Sequence, residues 1–194
     1  MKDSARPEFW DERFAARITP WDFGEVPPDL EAWLAVPRGR MRILVPGCGS
    51  AYEARHMAQL GHDVTAIDFA DAALAAALKV MGPFSDSLVK ADFFDFQPAV
   101  FDVVYERAFL CALPRRIWPR WAARVGELLR PGGELAGFFY LDDNERGPPF
   151  GISKVQLAQL LGSFELQEEQ AIPESESIAV FKGKEVWQAW KRPL

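Results

Sequence analysis

Cysteine and histidine are scarce, two of each among 194 residues, and that scarcity removes several classes of protein at once. Cys48 and Cys111 stand too far apart to suggest a disulfide framework or a zinc site, so both thiols are read as reduced and no metal is expected. His56 and His62 fall where a helix and a turn are predicted, and neither is assigned chemistry. Long hydrophobic runs are missing too. Nothing approaches the roughly 20 apolar residues of a membrane span, and the N-terminus has no signal-peptide core. A cytoplasmic protein with no membrane partner is expected. The net charge of -6 contains no large basic block, which argues against nucleic acid, whose binding rests on Lys and Arg neutralising phosphates. Repeats, low-complexity tracts and linkers are also absent. What remains, 49% hydrophobic and 26% charged, suffices for one α/β domain over residues 1–194, taken as a monomer that acts on small molecules.

The chain is organised around residues 41–50 and Asp68. Met41, Ile43, Leu44 and Val45 form a short apolar run that stops at Pro46-Gly47-Cys48-Gly49, as a buried parallel strand ends in a tight turn. Two glycines separated by one residue let the backbone turn sharply and let a ligand approach without a Cβ in the way. A second apolar run, Val64 to Ile67, ends on Asp68, whose carboxylate at a strand tip can accept hydrogen bonds from both hydroxyls of a ribose. This is the first half of a nucleotide-binding βαβ unit, with the ligand outside the carboxyl ends of the strands. The dinucleotide fingerprint wants a third glycine where Tyr52 stands. That bulk disfavours a pyrophosphate, and with it a nicotinamide oxidoreductase, but not an adenosine ligand without phosphates such as S-adenosylmethionine.

Around this unit the spacing predicts an N-terminal arm, residues 1–40, and a core, residues 41–194. Glu8 to Arg17 reads as a short helix with Phe9, Trp10, Arg13 and Phe14 on it, and Pro27-Pro28 opens a second helix carrying Leu30, Trp33 and Leu34. Trp33 and Leu34 read as packing, whereas Trp10 and Trp21 sit in a segment rich in turn residues and can form a lid. In the core, helices are predicted over 52–60, 70–80, 117–129 and 152–161. Strands are predicted over 63–67, 88–91, 101–105 and 134–140, with 164–169 and 178–182 as a closing pair and a tail carrying Trp187 and Trp190. The third strand ends in Asp92-Phe93, where an acid and an aromatic side by side offer a hydrogen-bond partner and an apolar slot to an adenine. The fourth runs into Glu106-Arg107.

Several stretches together carry a resemblance. The glycine turn, the two acidic strand tips and Leu129-Arg130-Pro131-Gly132-Gly133 before a strand resemble a class I S-adenosylmethionine-dependent methyltransferase. Phe9-Trp10 with Arg13, Pro20-Trp21-Asp22 with Gly24 and Pro27, Val45-Pro46-Gly47-Cys48-Gly49, Tyr105-Glu106-Arg107 and Gly147-Pro148-Pro149-Phe150 are together similar to the thiopurine S-methyltransferase family. Phe109 to Leu113 looks more like its plant and bacterial thiol or halide branch. The resemblance implies a Rossmann-like, doubly wound, mostly parallel seven-stranded sheet with an antiparallel C-terminal strand and an N-terminal helical lid. By the same resemblance Trp10 and Trp21 close over the site, Gly47 and Gly49 hold the methionine part of the cofactor, Asp68 the ribose, and Asp92 with Phe93 the adenine, with Phe69 also on the cofactor. Arg107 would line the cofactor site and face the acceptor, as the catalytic residue.

Methyl transfer is an in-line displacement at a carbon already activated by a sulfonium, so it asks for positioning and exclusion of water rather than a triad or a metal. An acceptor thiol, with a pKa of about 8.5, must lose its proton, and a cation beside it makes that easier. Arg107 suits that role for a thiol, and equally for a halide or a selenium or tellurium oxyanion. From the residues alone, Arg107 is also a candidate for an ion pair with Glu106 or Asp142 at the sheet edge. A cofactor-binding or protein-interaction module without turnover is the alternative of a different class.

Overall fold

The computed structural model describes residues 3–181 and 183–194. Its centre is a seven-stranded sheet built from β1 (Arg42–Pro46), β2 (Asp63–Asp68), β3 (Leu88–Lys90), β4 (Phe101–Arg107), β5 (Leu129–Tyr140), β6 (Glu165–Ala171) and β7 (Glu185–Lys191), in the order β3-β2-β1-β4-β5-β7-β6. β7 runs antiparallel to both β5 and β6, and the pairings β3 to β2, β2 to β1, β1 to β4 and β4 to β5 are parallel. The strand order reverses at β1. A crevice therefore opens beyond the carboxyl ends of β1 and β4, where open α/β sheets take their ligands.

Among the described residues six α-helices clothe the sheet: α1 (Pro7–Ala15), α2 (Pro28–Ala35), α3 (Tyr52–Gln59), α4 (Asp71–Met81), α5 (Trp118–Leu128) and α6 (Lys154–Leu160). Alternate side chains on a strand face opposite ways, and the core divides accordingly. Ile43, Val45, Val103, Tyr105 and Trp187 pack with Leu30, Trp33, Ala54, Met57, Ala77 and Met81 on the side of α2, α3 and α4. Leu44, Val104, Leu135 and Phe139 pack with Trp121, Val125, Leu128 and Leu157 on the side of α5 and α6. α5 shows why the sequence folds there. Trp118, Trp121, Ala122, Val125 and Leu128 recur at helical spacing and are all buried, and Pro119 sits in the first turn, where its missing N–H costs nothing. Truncating the fully buried Trp121 to alanine would cost about 3 to 5 kcal/mol.

Most predicted elements, 164–169 among them as β6, occur within a residue or two of their expected ends; the second strand of the closing pair does not. Ile178 to Phe181 is a turn, with Phe181 N–H donating to the Ile178 carbonyl at 2.8 Å, and Lys182 lies outside the described residues. The strand is the tail itself, Glu185–Lys191. Two buried polar residues disguise it. Glu185 accepts the Ser177 hydroxyl and the Ile178 amide, and Gln188 donates to Glu169 while accepting the Trp190 indole N–H. Ile178 and Phe181 are buried as anchors of the loop, Phe181 stacked on Tyr140 at 4.8 Å. β5 also starts at Leu129, earlier than expected, through a register shift opposite Phe101 and Val103. α6 begins at Lys154 because Ser153 and Gln156 form a reciprocal cap.

Candidate active site

The turn after β1 is shaped by residues in the left-handed region. Gly47 has φ of 58°, and a Cβ there would come within 2.5 Å of the Phe109 ring, so only glycine fits. Ala51 adopts φ of 61° and ends the turn at the start of α3. Ala108, immediately after Arg107, adopts φ of 58°. Each of these alanines carries strain of about 1 to 2 kcal/mol, and both lie against the same cavity. Asp68, a residue only 7% exposed, closes β2, one carboxylate oxygen accepting the Gly49 amide at 3.2 Å and the other the Ala70 amide at 3.0 Å. Burial raises its pKa despite those two hydrogen bonds.

These tips open into a cavity of about 500 Å³. All of the residues singled out in the sequence, Trp10, Trp21, Gly47, Gly49, Asp68, Phe69, Asp92, Phe93 and Arg107, line it. Asp92 accepts the Phe94 amide at 2.8 Å, and the buried Phe93 ring packs edge-on against Phe94 and Phe109. The arm lines the cavity as well, through Trp10, Phe14, Trp21 and Asp22. The Trp10 and Trp21 rings meet edge to face at 5.2 Å, Phe14 adds a third ring at 5.9 Å from Trp21, and the Asp22 carboxylate takes the Ser50 hydroxyl. Asp11 ties α1 down by accepting the Ala72 amide at 2.8 Å in the first turn of α4. Trp33, by contrast, is buried against Trp187, as expected for packing. The Gly147–Phe150 loop brings Pro148 and Pro149 to the cavity, held by the Phe150 amide on the Cys111 carbonyl at 2.7 Å.

Arg107 takes neither partner suggested by its neighbours in sequence. Its Nε lies 3.5 Å from Oε1 of Glu53, in the first turn of α3, with the two side chains 7% and 14% exposed. The guanidinium carbon stands 4.2 Å over the Phe138 ring and 5.1 Å over Phe23. Both terminal nitrogens, Nη1 and Nη2, are buried without a hydrogen-bond partner, an expensive state for a cation's donors. Burial, the dominant cause, raises the Glu53 pKa; Arg107 opposes it and Asp22 adds to it. Glu106 turns to the other face of the sheet. There one oxygen accepts the Phe109 and Leu110 amides, each at 2.9 Å, and burial pushes its pKa to about 8. Asp142 instead takes Lys184 at 2.7 Å and the Tyr140 hydroxyl.

Sequence reasoning missed Glu53, Tyr105, Phe109 and Phe181, all of which line the cavity. Glu53 gave no signal because an acid in a helix's first turn is what the helix dipole favours anyway.

A glycine turn, an aspartate on the second strand tip and a β7 inserted antiparallel beside β5 define a class I methyltransferase fold. The crystal structure of the N-methyltransferase NodS from Bradyrhizobium japonicum with S-adenosyl-l-homocysteine superposes with a TM-score of 0.79, covering 100% of both chains at 18% identity. At that identity the likeness concerns the fold alone. Sequence relationships go further. Residues 5–193 match the thiopurine S-methyltransferase family. Thiocyanate methyltransferase 1 of Arabidopsis thaliana is 32% identical over 192 residues, covering 94% of this chain and 84% of its own length; probable thiol methyltransferase 2 of the same plant is 30% identical with the same coverage. The chain belongs to the thiopurine S-methyltransferase family, a methyltransferase whose cofactor is S-adenosyl-L-methionine.

The residues present fit that cofactor. Each Asp68 oxygen spends one lone pair on a backbone amide and keeps another for a hydroxyl. Gly47 and Gly49 line the cavity beside it with no side chain of their own. Among the described residues no helix is long and apolar enough to cross a membrane.

Proposed function

We propose that this chain moves a methyl group from S-adenosyl-L-methionine to a small nucleophile, foremost a thiol sulfur, with Arg107 stabilising the acceptor as its anion. One observation carries the reading: the two terminal nitrogens of Arg107 are buried in the cavity wall with their donors unspent. A buried cation in that state favours an anionic partner. The bound cofactor supplies a methyl carbon activated by its sulfonium. Asp68, with Phe69 beside it, accepts from the ribose hydroxyls, Asp92 and Phe93 bind the adenine, and Gly47 and Gly49 let the methionine part lie against the backbone. Trp10 and Trp21 close residues 1–40 over the cavity as a lid and exclude water. Amide exchange equally slow in the arm with and without cofactor would leave the arm as plain packing.

A second reading takes a halide or pseudohalide as acceptor. The relative named for thiocyanate supports it, and so does a guanidinium that needs only negative charge to be satisfied. Selenium and tellurium oxyanions belong to the same group of anions. The test is incubation with S-adenosyl-L-methionine and a panel of aliphatic thiols, thiopurines, iodide, thiocyanate and chalcogen oxyanions, with methylated products identified by mass. Methylation of a thiol is the expected outcome. Tight cofactor binding with no product from any acceptor would make the protein a binding module instead.

A further inference from the structure

Beside Arg107 the cavity wall holds a second ionisable group that positioning a methyl acceptor does not by itself require. Glu53 engages the guanidinium only at Nε, 3.5 Å away, and leaves Nη1 and Nη2 unpartnered and buried. Around Glu53 stand Arg107 and Tyr105 from β4, Asp22 from the arm and Cys48 from the glycine turn. Arg107 is the one cation of that set. Asp22 is engaged by the Ser50 hydroxyl. The Tyr105 hydroxyl and the Cys48 thiol are held neutral, burial pushing both well above their ordinary ranges. Glu53 and Arg107 thus form a nearly buried pair of opposite charges in the cavity wall, with Asp22 as a further carboxylate nearby.

Building on the function proposed above, we propose that Glu53 is the group that takes the proton of a thiol acceptor, so that the Glu53–Arg107 pair sorts acceptors by whether they bring a proton. A neutral thiol meets a pair whose charges cancel. Its S–H bond breaks, the proton passes to a Glu53 oxygen, and the electron pair stays on sulfur, where Arg107 now neutralises it. That pair forms the new carbon–sulfur bond as the bond from the methyl carbon to the sulfonium sulfur breaks with its electrons. Glu53 returns its proton to solvent. The charge contributed by Glu53, Arg107 and acceptor sums to zero from entry until the methyl moves, which the near-burial of both side chains favours. Iodide or thiocyanate brings no proton and adds its charge beside an ionised Glu53. It enters well only when Glu53 has first been protonated from solvent. Burial, which raises the Glu53 pKa, makes it a better base and lets that protonation occur at higher pH than for an ordinary glutamate. Thiols and preformed anions therefore have opposite pH dependences in one site.

The test reads proton uptake as well as turnover. Calorimetric titration of thiocyanate into the protein saturated with S-adenosylhomocysteine, in buffers of different ionisation enthalpy, should show uptake approaching one proton per anion at pH above the Glu53 pKa. Affinity should fall up to tenfold per pH unit there. Glu53→Gln should abolish the uptake, flatten the profile and tighten thiocyanate at alkaline pH, while Glu53→Asp should retain the uptake. With a thiol, Glu53→Gln should lose at least tenfold in turnover at neutral pH and recover as pH approaches the thiol's own pKa. Thiocyanate binding to the unaltered protein without proton uptake overturns the proposal whether or not either variant folds. So does a Glu53→Gln loss with thiol that is equal at all pH values. Failure of the underlying function looks different: S-adenosylhomocysteine binds, but neither thiol nor anion is methylated or retained.

Discussion

The two ends of β4 each carry an arginine–carboxylate contact, and they differ in almost every respect. At the amino end, Arg130 Nε lies 2.6 Å from Asp102, the Arg42 amide donates to the other oxygen at 2.7 Å, and Arg130 is 50% exposed. Burial alone would raise the Asp102 pKa, but the Arg130 and Arg42 contacts more than reverse it. At the carboxyl end, the Arg107–Glu53 contact is longer, 3.5 Å, nearly buried, and leaves two guanidinium nitrogens without partners. The shorter contact is the less informative one. Exposed pairs contribute about 0 to 1 kcal/mol because water and side-chain entropy offset the attraction. A desolvated, half-satisfied cation is costly to hold, and the fold keeps it where the cavity opens.

The largest effect should come at the carboxyl end. Arg107→Ala is expected to cut thiol turnover at neutral pH by ten- to a hundredfold, about 1.4 to 2.7 kcal/mol, with cofactor affinity held within a fewfold. The variant's rate should keep rising toward the thiol's own pKa. Activity falling in step with melting temperature at every pH would make Arg107 a structural ion pair like Arg130 and erase the contrast. Next comes Asp68→Ala, which should weaken S-adenosyl-L-methionine binding at least tenfold in calorimetry, since two charge-assisted hydrogen bonds are worth about 1.5 to 3 kcal/mol or more. Unchanged affinity would remove the ribose assignment.

A third measurement separates Arg107 from its neighbour on the opposite face. The folded chain holds the Glu106 proton up to about pH 8, whereas the unfolded chain gives it up near the ordinary glutamate value of about 4.3. Between those values the native state binds more protons, so stability falls as pH rises, by at most about 1.4 kcal/mol per pH unit. Glu106→Gln keeps an acceptor oxygen for the Phe109 and Leu110 amides and has no proton to lose. Its melting temperature should therefore decline less than the unaltered protein's between pH 5 and 8; parallel declines would mean that Glu106 is ionised in the fold. The smallest effect is expected at the amino end. Arg130→Ala should cost no more than about 1 kcal/mol in urea unfolding and leave turnover within twofold.

The features legible beforehand are those a few consecutive residues specify. Apolar runs ending on glycine or acid place β1 and β2 with their tips, a run of alanine and leucine places α4, and helical spacing places α5. The arm's tryptophans were legible as a cleft lining because turn residues surround them. β7 was not, since an interior strand whose Glu185 and Gln188 find buried partners looks too polar to be one.

By itself, then, the sequence determined the family, the crevice and the residues at the strand tips, because strand ends and glycine turns are written in local spacing. Only the tertiary structure decided what each charge at the end of β4 faces. Adjacent strand residues point to opposite sides, so Glu106 is carried to amides beside α5 while Arg107 is carried to the cavity, where α3 brings Glu53 from 54 residues earlier in the chain. Which opposite charge lies within reach is a property of how helices pack on a sheet, and no spacing along the chain records it.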